Sequence, residues 1–570
     1  MTIKTRVILV LGLLATLGSI ILGQAFRFQV VGQVQKTKAS EFPLHPKRGI
    51  VYDRHKEVLA IALDTPSIYA CPYQIEDPQK AAAFLSKVLH LEKKALLKRL
   101  KKDGNFVWVK RWISNKELRR IEKQGLKGIG IFKESRRYYP HKHLAGQVLG
   151  FVGIDGYGLE GIEKQFDHYL KGKSGYYYGI KDARGRVVTS PKIPIKPAKD
   201  GCNLFLTLDH RIQYAAEEAL AKMVKKWHAK AGHAIILVPQ TGEVLALANY
   251  PLFNPNEFRK AKPRDYRNRV ISNAFEPGST FKAILAAAAL DKGVLKPHNI
   301  VYGENGQYKI DDAIIHDIKP FGWLSIEQAI VYSSNIGAVK IGQILGQKVF
   351  YEYIKKFDFG QKTGIDLGGE AKGLLRPVET WRRVDAATVC FGQGISVTAL
   401  QLATAYAAMA NGGKLVTPFI VKEIVDAEGG VVRVFQPKVK QQVITEKTAR
   451  RLRKILRRVV VEGTGEMAEI TGYEIAGKTG TAQKPGKGGY HKNKAISSFV
   501  GFFPANDPKV VIAVVIDEPH PITYGGIVAA PVFKQIAWDI IWRWNLSPCF
   551  YPIEASKTKY LQAKHVPKKD

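Results

Sequence analysis

The hydrophobic pattern opens with a run that carries no charge, "VILVLGLLATLGSIILGQAF" from Val7 to Phe26. At about 1.5 Å of rise per residue, this run as a helix spans roughly 30 Å, the hydrocarbon thickness of a bilayer. It predicts a transmembrane helix over 7–26 after a cytoplasmic tail of residues 1–6. A cleaved signal peptide is the alternative, since Gly23-Gln24-Ala25 is a loose small-x-small site. The run is longer than a usual signal core, which favours an anchor. Later apolar runs are short and broken by charges. The expectation is a single-pass protein of the inner (cytoplasmic) membrane with its bulk on the periplasmic side.

Beyond the anchor the pattern changes twice. Residues 27–200 alternate over short distances, as in "RGIVYDRHKEVLAIALDTPSIYACP" (Arg48–Pro72), which predicts strands with a turn between. "ALLKRLKKDGNFVWVKRW" predicts a basic helix and then a strand, its charges a solvated face. This stretch reads as an α+β domain. "CNLFLTLDHRIQYAAEEALAKMVKKW" begins a second unit: a strand, Asp209 as N-cap, then an amphipathic helix. "HAIILVPQTGEVLALANYP" predicts a hairpin about Pro239–Gly242, and "AISSFVGFFPANDPKVVIAVVIDEP" a second about Pro504–Pro508. "VAAPVFKQIAWDIIWRW" predicts a final helix. Strands at both ends with helices between them predict an α/β domain over 201–547, one sheet with a helical insertion. A basic tail, 548–570, completes the chain.

Composition narrows the partners. Of 570 residues 45% are hydrophobic, and the net charge is +37. That surplus favours nucleic acid, acidic lipid headgroups or acidic polymers. The clusters "FRKAKPRDYRNR" and "RRLRKILRR" fit a nucleic-acid role, but a membrane anchor argues against it. Cys71, Cys202, Cys390 and Cys549 form no C-x-x-C, so neither a zinc site nor a disulfide scaffold is legible.

The chemistry centres on "EPGSTFKAILAAAALDKG", Glu276–Gly293. Ser279 and Lys282 are spaced i, i+3 and share one helix face. Pro277-Gly278 is a sharp turn that puts Ser279 at a helix N-terminus, where the dipole favours developing negative charge. An amine among apolar neighbours loses its charge readily and can serve as base for an adjacent nucleophile. The bland reading is an N-cap serine and a snorkelling lysine, although a capping box would want Glu or Gln at 282. Two further stretches bear on the choice. Ser333-Ser334-Asn335 adjoins an apolar helical run, with Ser333 or Asn335 as a possible cap. Lys478-Thr479-Gly480-Thr481 suits a strand edge that offers hydroxyls and close backbone approach. S-x-x-K, S-x-N and K-T-G in this order mark penicillin-binding proteins and class A β-lactamases.

One rival uses the same residues. Gly472–Thr479 fits G-x-x-x-x-G-K-T, and "VVIAVVIDE" looks like a Walker B strand, which would make an ATPase. A P-loop must open a helix, whereas Gly480 and "KPGKGG" oppose helix growth after Lys478.

The chain resembles a class B penicillin-binding protein, a membrane-anchored peptidoglycan D,D-transpeptidase. "RGIVYDR…LA" and "RRYYPHKHLAGQVLGFVGIDGYGLEGIE" (Arg136–Glu163) are similar to motifs of its N-terminal pedestal. "FGQGISVTALQLATAYAAMANGG" and "SFVGFFPANDP" are similar to its transpeptidase domain. "AGKTGTAQK", "VVIDEP" and "YGGIVAAPVFKQIA" look more like the septal, cell-division branch than the elongation branch. The family often has Asn-Gly after Asp-Arg, where this chain has His55-Lys56.

The resemblance implies a penicillin-binding/β-lactamase-like fold, with a central antiparallel sheet, flanking helices and a helical subdomain. It further implies that Ser279 attacks stem peptides ending in D-Ala-D-Ala and that Lys282 takes its proton. Ser333 would relay a proton to the leaving amine, and Asn335 would hold the substrate amide and Lys282. Lys478 would keep the site positive. Thr479 and Thr481 would bind the terminal carboxylate beside Gly480, and the N–H groups of Ser279 and Thr481 would form the oxyanion hole. No metal or organic cofactor is implied. β-Lactams would inhibit, and a polytopic lipid II glycosyltransferase and division proteins would be partners. The positive charge then suits anionic lipid and cell-wall polymer. An elongation-type enzyme and a β-lactamase or penicillin sensor are the alternatives. The long pedestal favours the transpeptidase, as does the lack of an assignable deacylating glutamate.

Overall fold

The computed structural model describes residues 2–29, 40–104, 106–181, 187–188, 195–486 and 489–549. The expected basic tail lies outside them, apart from residues 548 and 549. The chain forms two compact units. The first comprises Met1–Lys47 and Gly172–Asp200. It holds the apolar helix Ile3–Gln29, whose stretch Ile3–Ala25 is long and apolar enough to cross a membrane, with mean hydropathy 2.2. Among the described residues no other helix meets that test. The same unit pairs Ser40–Leu44 antiparallel with Gly175–Lys181.

The second unit, Arg48–Lys171 with Gly201–Asp570, joins pieces that the sequence reading put in separate domains, 27–200 and 201–547. The reason is a shared sheet. The strand Asn203–Leu206, expected to open the α/β domain, runs parallel to Val51–Tyr52 and antiparallel to Val421–Val425. Val51–Tyr52 pairs in turn with Val58–Ala70, around the turn where His55-Lys56 departs from the family pattern. Lys56 takes a φ of 67°, as a glycine would, and Asp53 Oδ1 accepts from the amides of His55 and Glu57 at 2.7 and 2.8 Å. The side chain of Asp53 thus closes the turn that Asn-Gly would otherwise form.

The second sheet is antiparallel. Its strands are β1 (Ala231–Leu237), β2 (Val244–Tyr250), β3 (Ala476–Gly486), β4 (Gly489–Phe503) and β5 (Val510–Asp517). Their spatial order is β2-β1-β5-β4-β3, so both expected hairpins form and β3 is an edge. β1 and β5 are almost continuously apolar because both faces are covered. Ala234, Ile236, Ile512, Val514 and Ile516 meet a core shared with α1 (His210–Lys226) and the final helix Ala530–Arg543. Ile235, Leu237, Val511, Ala513 and Val515 meet a core shared with α2 (Lys282–Lys292). The period of two in side-chain direction assigns each residue to its layer. Asp209 caps α1 as expected, accepting from the amides of Arg211 and Ile212.

Candidate active site

Ser279 lies in the turn just before the α-helix rather than within it. Gly278–Phe281 is a 3-10 turn, and the α-helix proper begins at Lys282. The turn is held on two sides. Gly278 has φ 56°, donates its N–H to Gly392 O at 3.0 Å, and lies so near β3 that a Cβ would come within 3.0 Å of Thr481 O. Tyr406, fully buried, donates its hydroxyl to Thr280 O at 2.8 Å. Ser279 is half-buried, while Lys282 through Leu290 are buried.

Lys282 is therefore a fully buried amine at the head of an apolar helix. Its Nζ donates to Ser333 O at 2.6 Å and to Asn335 Oδ1 at 2.8 Å, with Ser333 Oγ at 3.4 Å. None of these is a carboxylate. Burial, and after it the charge of Lys478, holds Lys282 well below its ordinary pKa, with Asp317 opposing. Lys478 is also fully buried, and burial brings it down to about 7. The two buried lysines cannot both remain charged at low cost so near each other.

The Ser333–Asn335 stretch departs from the expected cap. Ser334 is the N-cap of the helix Asn335–Leu345, its Oγ accepting from Gly337 N at 2.8 Å. Ser333 sits before it with φ 63°, a conformation costly for a non-glycine residue. The residue that fixes this break is Asp317, which sequence reading missed. Its carboxylate accepts from Ser334 Oγ at 2.5 Å, from Asn335 N, and from Ile336 N at 3.2 Å. Asn335 Nδ2 donates to the neighbouring His316 O at 2.8 Å. No sequence spacing links Asp317 to the motif, because a β-hairpin, Gln307–Ile310 with Ala313–His316, delivers it.

The third motif lies on edge strand β3. Thr479 Oγ1 shares a 2.6 Å hydrogen bond with Thr464 Oγ1, and Lys478 Nζ lies 3.4 Å from Thr464. Thr464 is the second contact that the sequence did not disclose. Thr481 is exposed and its Oγ1 accepts from Gly525 N at 3.0 Å. Gly480 is packed so closely that a Cβ would come within 2.4 Å of Ser498 Oγ and 2.8 Å of Pro277 O. This glycine lets β3 lie against the Ser279 turn. The P-loop reading fails on the same strand, since Lys478 and Thr479 lie inside it and no helix follows.

One group of metal-ligating type occurs among the described residues, Asp53, Asp209 and His210. Their oxygens and ring nitrogen serve the Asp53 turn and the α1 cap instead. It lies outside the serine–lysine constellation.

The structure thus brings Lys282, Ser333 and Asn335 into direct contact, and sets Lys478, Thr479, Gly480 and Thr481 on the strand that flanks the Ser279 turn. Residues 232–537 match the family model of the penicillin binding protein transpeptidase domain, and residues 43–206 that of the penicillin-binding protein dimerisation domain. The chain belongs to the penicillin-binding protein transpeptidase family. It is 38% identical to Stage V sporulation protein D of Bacillus subtilis, over 89% of this chain and 80% of that protein. It is 31% identical to peptidoglycan D,D-transpeptidase FtsI of Escherichia coli, over 96% of this chain and 93% of that protein. Penicillin binding protein 3 of Mycobacterium tuberculosis, solved with aztreonam, superposes with a TM-score of 0.71 at 28% identity. The match covers 89% of this chain and 98% of that one.

Proposed function

We propose that Ser279 is the acylated nucleophile of a peptidoglycan D,D-transpeptidase and that Lys282 is its general base. One observation carries the reading: a buried lysine, hydrogen-bonded to Asn335 and Ser333 and to no carboxylate, three residues after the serine. As Ser279 Oγ attacks the penultimate D-Ala carbonyl, its proton passes to the neutral Nζ of Lys282. The N–H groups of Ser279 and Thr481 receive the oxyanion, each donor contributing about 3–4 kcal/mol as in other acyl-transfer enzymes. Collapse breaks the D-Ala–D-Ala amide, and Ser333, within reach of Lys282, delivers the proton to the leaving amine. D-Alanine departs and leaves an ester on Ser279. An amine of a second stem peptide attacks that ester, forms the cross-link and returns the proton to the serine. Asn335 aligns the donor amide. Lys478 keeps the pocket positive, and Thr479 and Thr481 take the substrate carboxylate beside Gly480.

A β-lactam presents an amide to the same serine and gives a stable ester. Incubation with a labelled penicillin and mapping of the adduct tests the assignment. Label on Ser279, with none on the Ser279→Ala protein, is expected. Label on another serine, or rapid turnover of the penicillin, refutes it.

The helix Ile3–Gln29 would anchor the enzyme with its bulk outside the cytoplasm, where stem peptides occur. The forms "AGKTGTAQK" and "VVIDEP" support a septal role with a polytopic lipid II glycosyltransferase and division proteins as partners. The identity to Stage V sporulation protein D favours a second setting, wall synthesis during sporulation. A fluorescent fusion that marks the division site supports the first, one confined to sporulating cells the second, and one along the side wall neither.

A further inference from the structure

A second polar site lies on the face of the sheet that carries Ile235 and Leu237. His233 shares that face of β1 and opposes Val515 of β5. It is 3% exposed, and neither ring nitrogen has a hydrogen-bond partner among the described residues. His233 lines a cavity of about 270 Å³ together with Arg267, Arg269, Asn273, Phe275, Lys484 and Asp517. Arg269 Nη1 and Asn273 Oδ1 are likewise buried without a partner. Nearly all buried polar atoms in folded proteins are paired, so these unpaired ones around one cavity mark a place whose partner the chain itself does not supply.

The charges say what kind of group. Lys484 is already balanced, its Nζ lying 2.6 Å from Asp517 Oδ1 and 2.7 Å from Glu518 Oε1. The two arginines are not. Arg267 donates to Ser272 and Arg269 to Arg264 O, and neither has an ion-pair partner among the described residues. Burial, then the neighbouring Arg267, lowers the Arg269 pKa, with Asp517 and Asp265 opposing. Burial and then Arg269 bring His233 down to about 3, so its ring is neutral and offers one N–H and one acceptor nitrogen. The cavity therefore offers guanidinium and imidazole donors to an anion. It also offers acceptors to a group with a hydrogen of its own: Asn273 Oδ1, the second imidazole nitrogen and the Asp517 carboxylate, which is ion-paired to Lys484.

We propose that this cavity binds a small oxyanion that carries its own hydrogen-bond donor, the chemistry shared by hydrogen phosphate and a zwitterionic amino acid. Its oxygens take the Arg269, Arg267 and His233 donors. Its O–H or ammonium serves Asn273. Phe275, which lines the cavity, exchanges backbone hydrogen bonds with Val397 at 2.9 and 2.8 Å just ahead of the Ser279 turn. The occupant thus rests against the segment that leads into the active site.

The test is calorimetric titration of the full-length protein in detergent, first acylated with penicillin so that the serine site is closed. Sodium phosphate and D-alanine are titrated separately in a buffer free of both. Saturable binding of one is expected, and which one binds identifies the source. Arg269→Gln and His233→Phe each should weaken it at least about tenfold, since charge-assisted hydrogen bonds are lost. Penicillin acylation and thermal melting show that each variant is folded, and exposed Arg267→Gln serves if a buried variant is not. No saturable heat with either compound up to about 20 mM, or binding unchanged in folded variants, overturns the proposal and leaves a cavity of water.

Discussion

Lys282 Nζ donates to Asn335 Oδ1 at 2.8 Å across the join between the first two motifs. That bond holds the amine in place without neutralising it by a counter-charge, so burial and Lys478 decide its protonation. A base that must be empty when the serine arrives is better served by an amide oxygen than by a carboxylate, which would retain the proton.

The rate of penicillin acylation should follow from this. The neutral fraction of Lys282 grows as pH rises through its lowered pKa. Acylation should climb with pH along an ionisation well below 10.5, the ordinary lysine value. Lys282→Arg keeps the charge but removes the base, and should slow acylation about 10²–10⁴-fold at neutral pH. Stopped-flow measurement with a chromogenic β-lactam checks both. Acylation by the Lys282→Arg protein as fast as by the native one would exclude the amine as base.

Asp317 should matter although it is hydrogen-bonded to neither Ser279 nor Ser333. It accepts from Ser334 and from the amides that open the Asn335–Leu345 helix. Asp317→Ala should cost about 1–3 kcal/mol, because Ser334 Oγ and the amides of Asn335 and Ile336 lose their acceptor. It should also slow acylation by letting Ser333 and Asn335 drift. Asp317→Asn keeps one acceptor and should restore much of the stability. Melting temperature and acylation rate, measured on the same samples, separate the two effects. Equal acylation by native and Asp317→Ala proteins would show that Asp317 only caps the helix.

Gly480 is the point where a small change should do most damage for its size. A methyl group there would meet Ser498 Oγ at 2.4 Å and Pro277 O at 2.8 Å. The serine hydroxyl can turn away, but the backbone carbonyl just before the Ser279 turn cannot. Gly480→Ala should push β3 from that turn, lower stability by about 1–3 kcal/mol and slow acylation. Unchanged stability and rate would mean that the strand and the turn can part at no cost.

The three motifs were legible because each is a short local pattern with a fixed order, and the sheet because β1 and β5 are apolar on both faces. Local pattern could not show which strands join which sheet. The strand Asn203–Leu206 reads as the start of the α/β domain, and its long-range pairing with both Val51–Tyr52 and Val421–Val425 puts it in a sheet shared by the two stretches. The same limit hid Asp317, Thr464 and Tyr406. Each reaches the site from a separate element, and a lone aspartate, threonine or tyrosine carries no signal until the chain has folded. The His55-Lys56 departure was visible in sequence, but that Asp53 closes the turn and Lys56 takes the positive φ was not.

Glu217 supplies the sharpest test of a buried charge far from the chemistry. On α1, its Oε1 accepts from Ala145 N at 2.8 Å and Gln213 Nε2 at 2.7 Å, while Oε2 has no partner among the described residues. Burial raises its pKa to about 8, against the bonds from Gln213 and Ala145. A carboxyl raised in the native state favours folding while protonated. Its contribution is complete below the unfolded value of 4.5 and is lost as pH rises through about 8. Lys478, lowered to about 7, acts in the other direction: the unfolded chain keeps that proton up to 10.5, so stability rises with pH over that interval. The native protein mixes the two trends. Glu217→Gln removes the first, so between pH 5 and 8 the variant should lose on the order of 2–4 kcal/mol less stability than the native chain. Melting temperatures of both proteins across this range measure the difference directly. Parallel curves would mean that Glu217 stays ionised when buried, its charge met by a donor to Oε2.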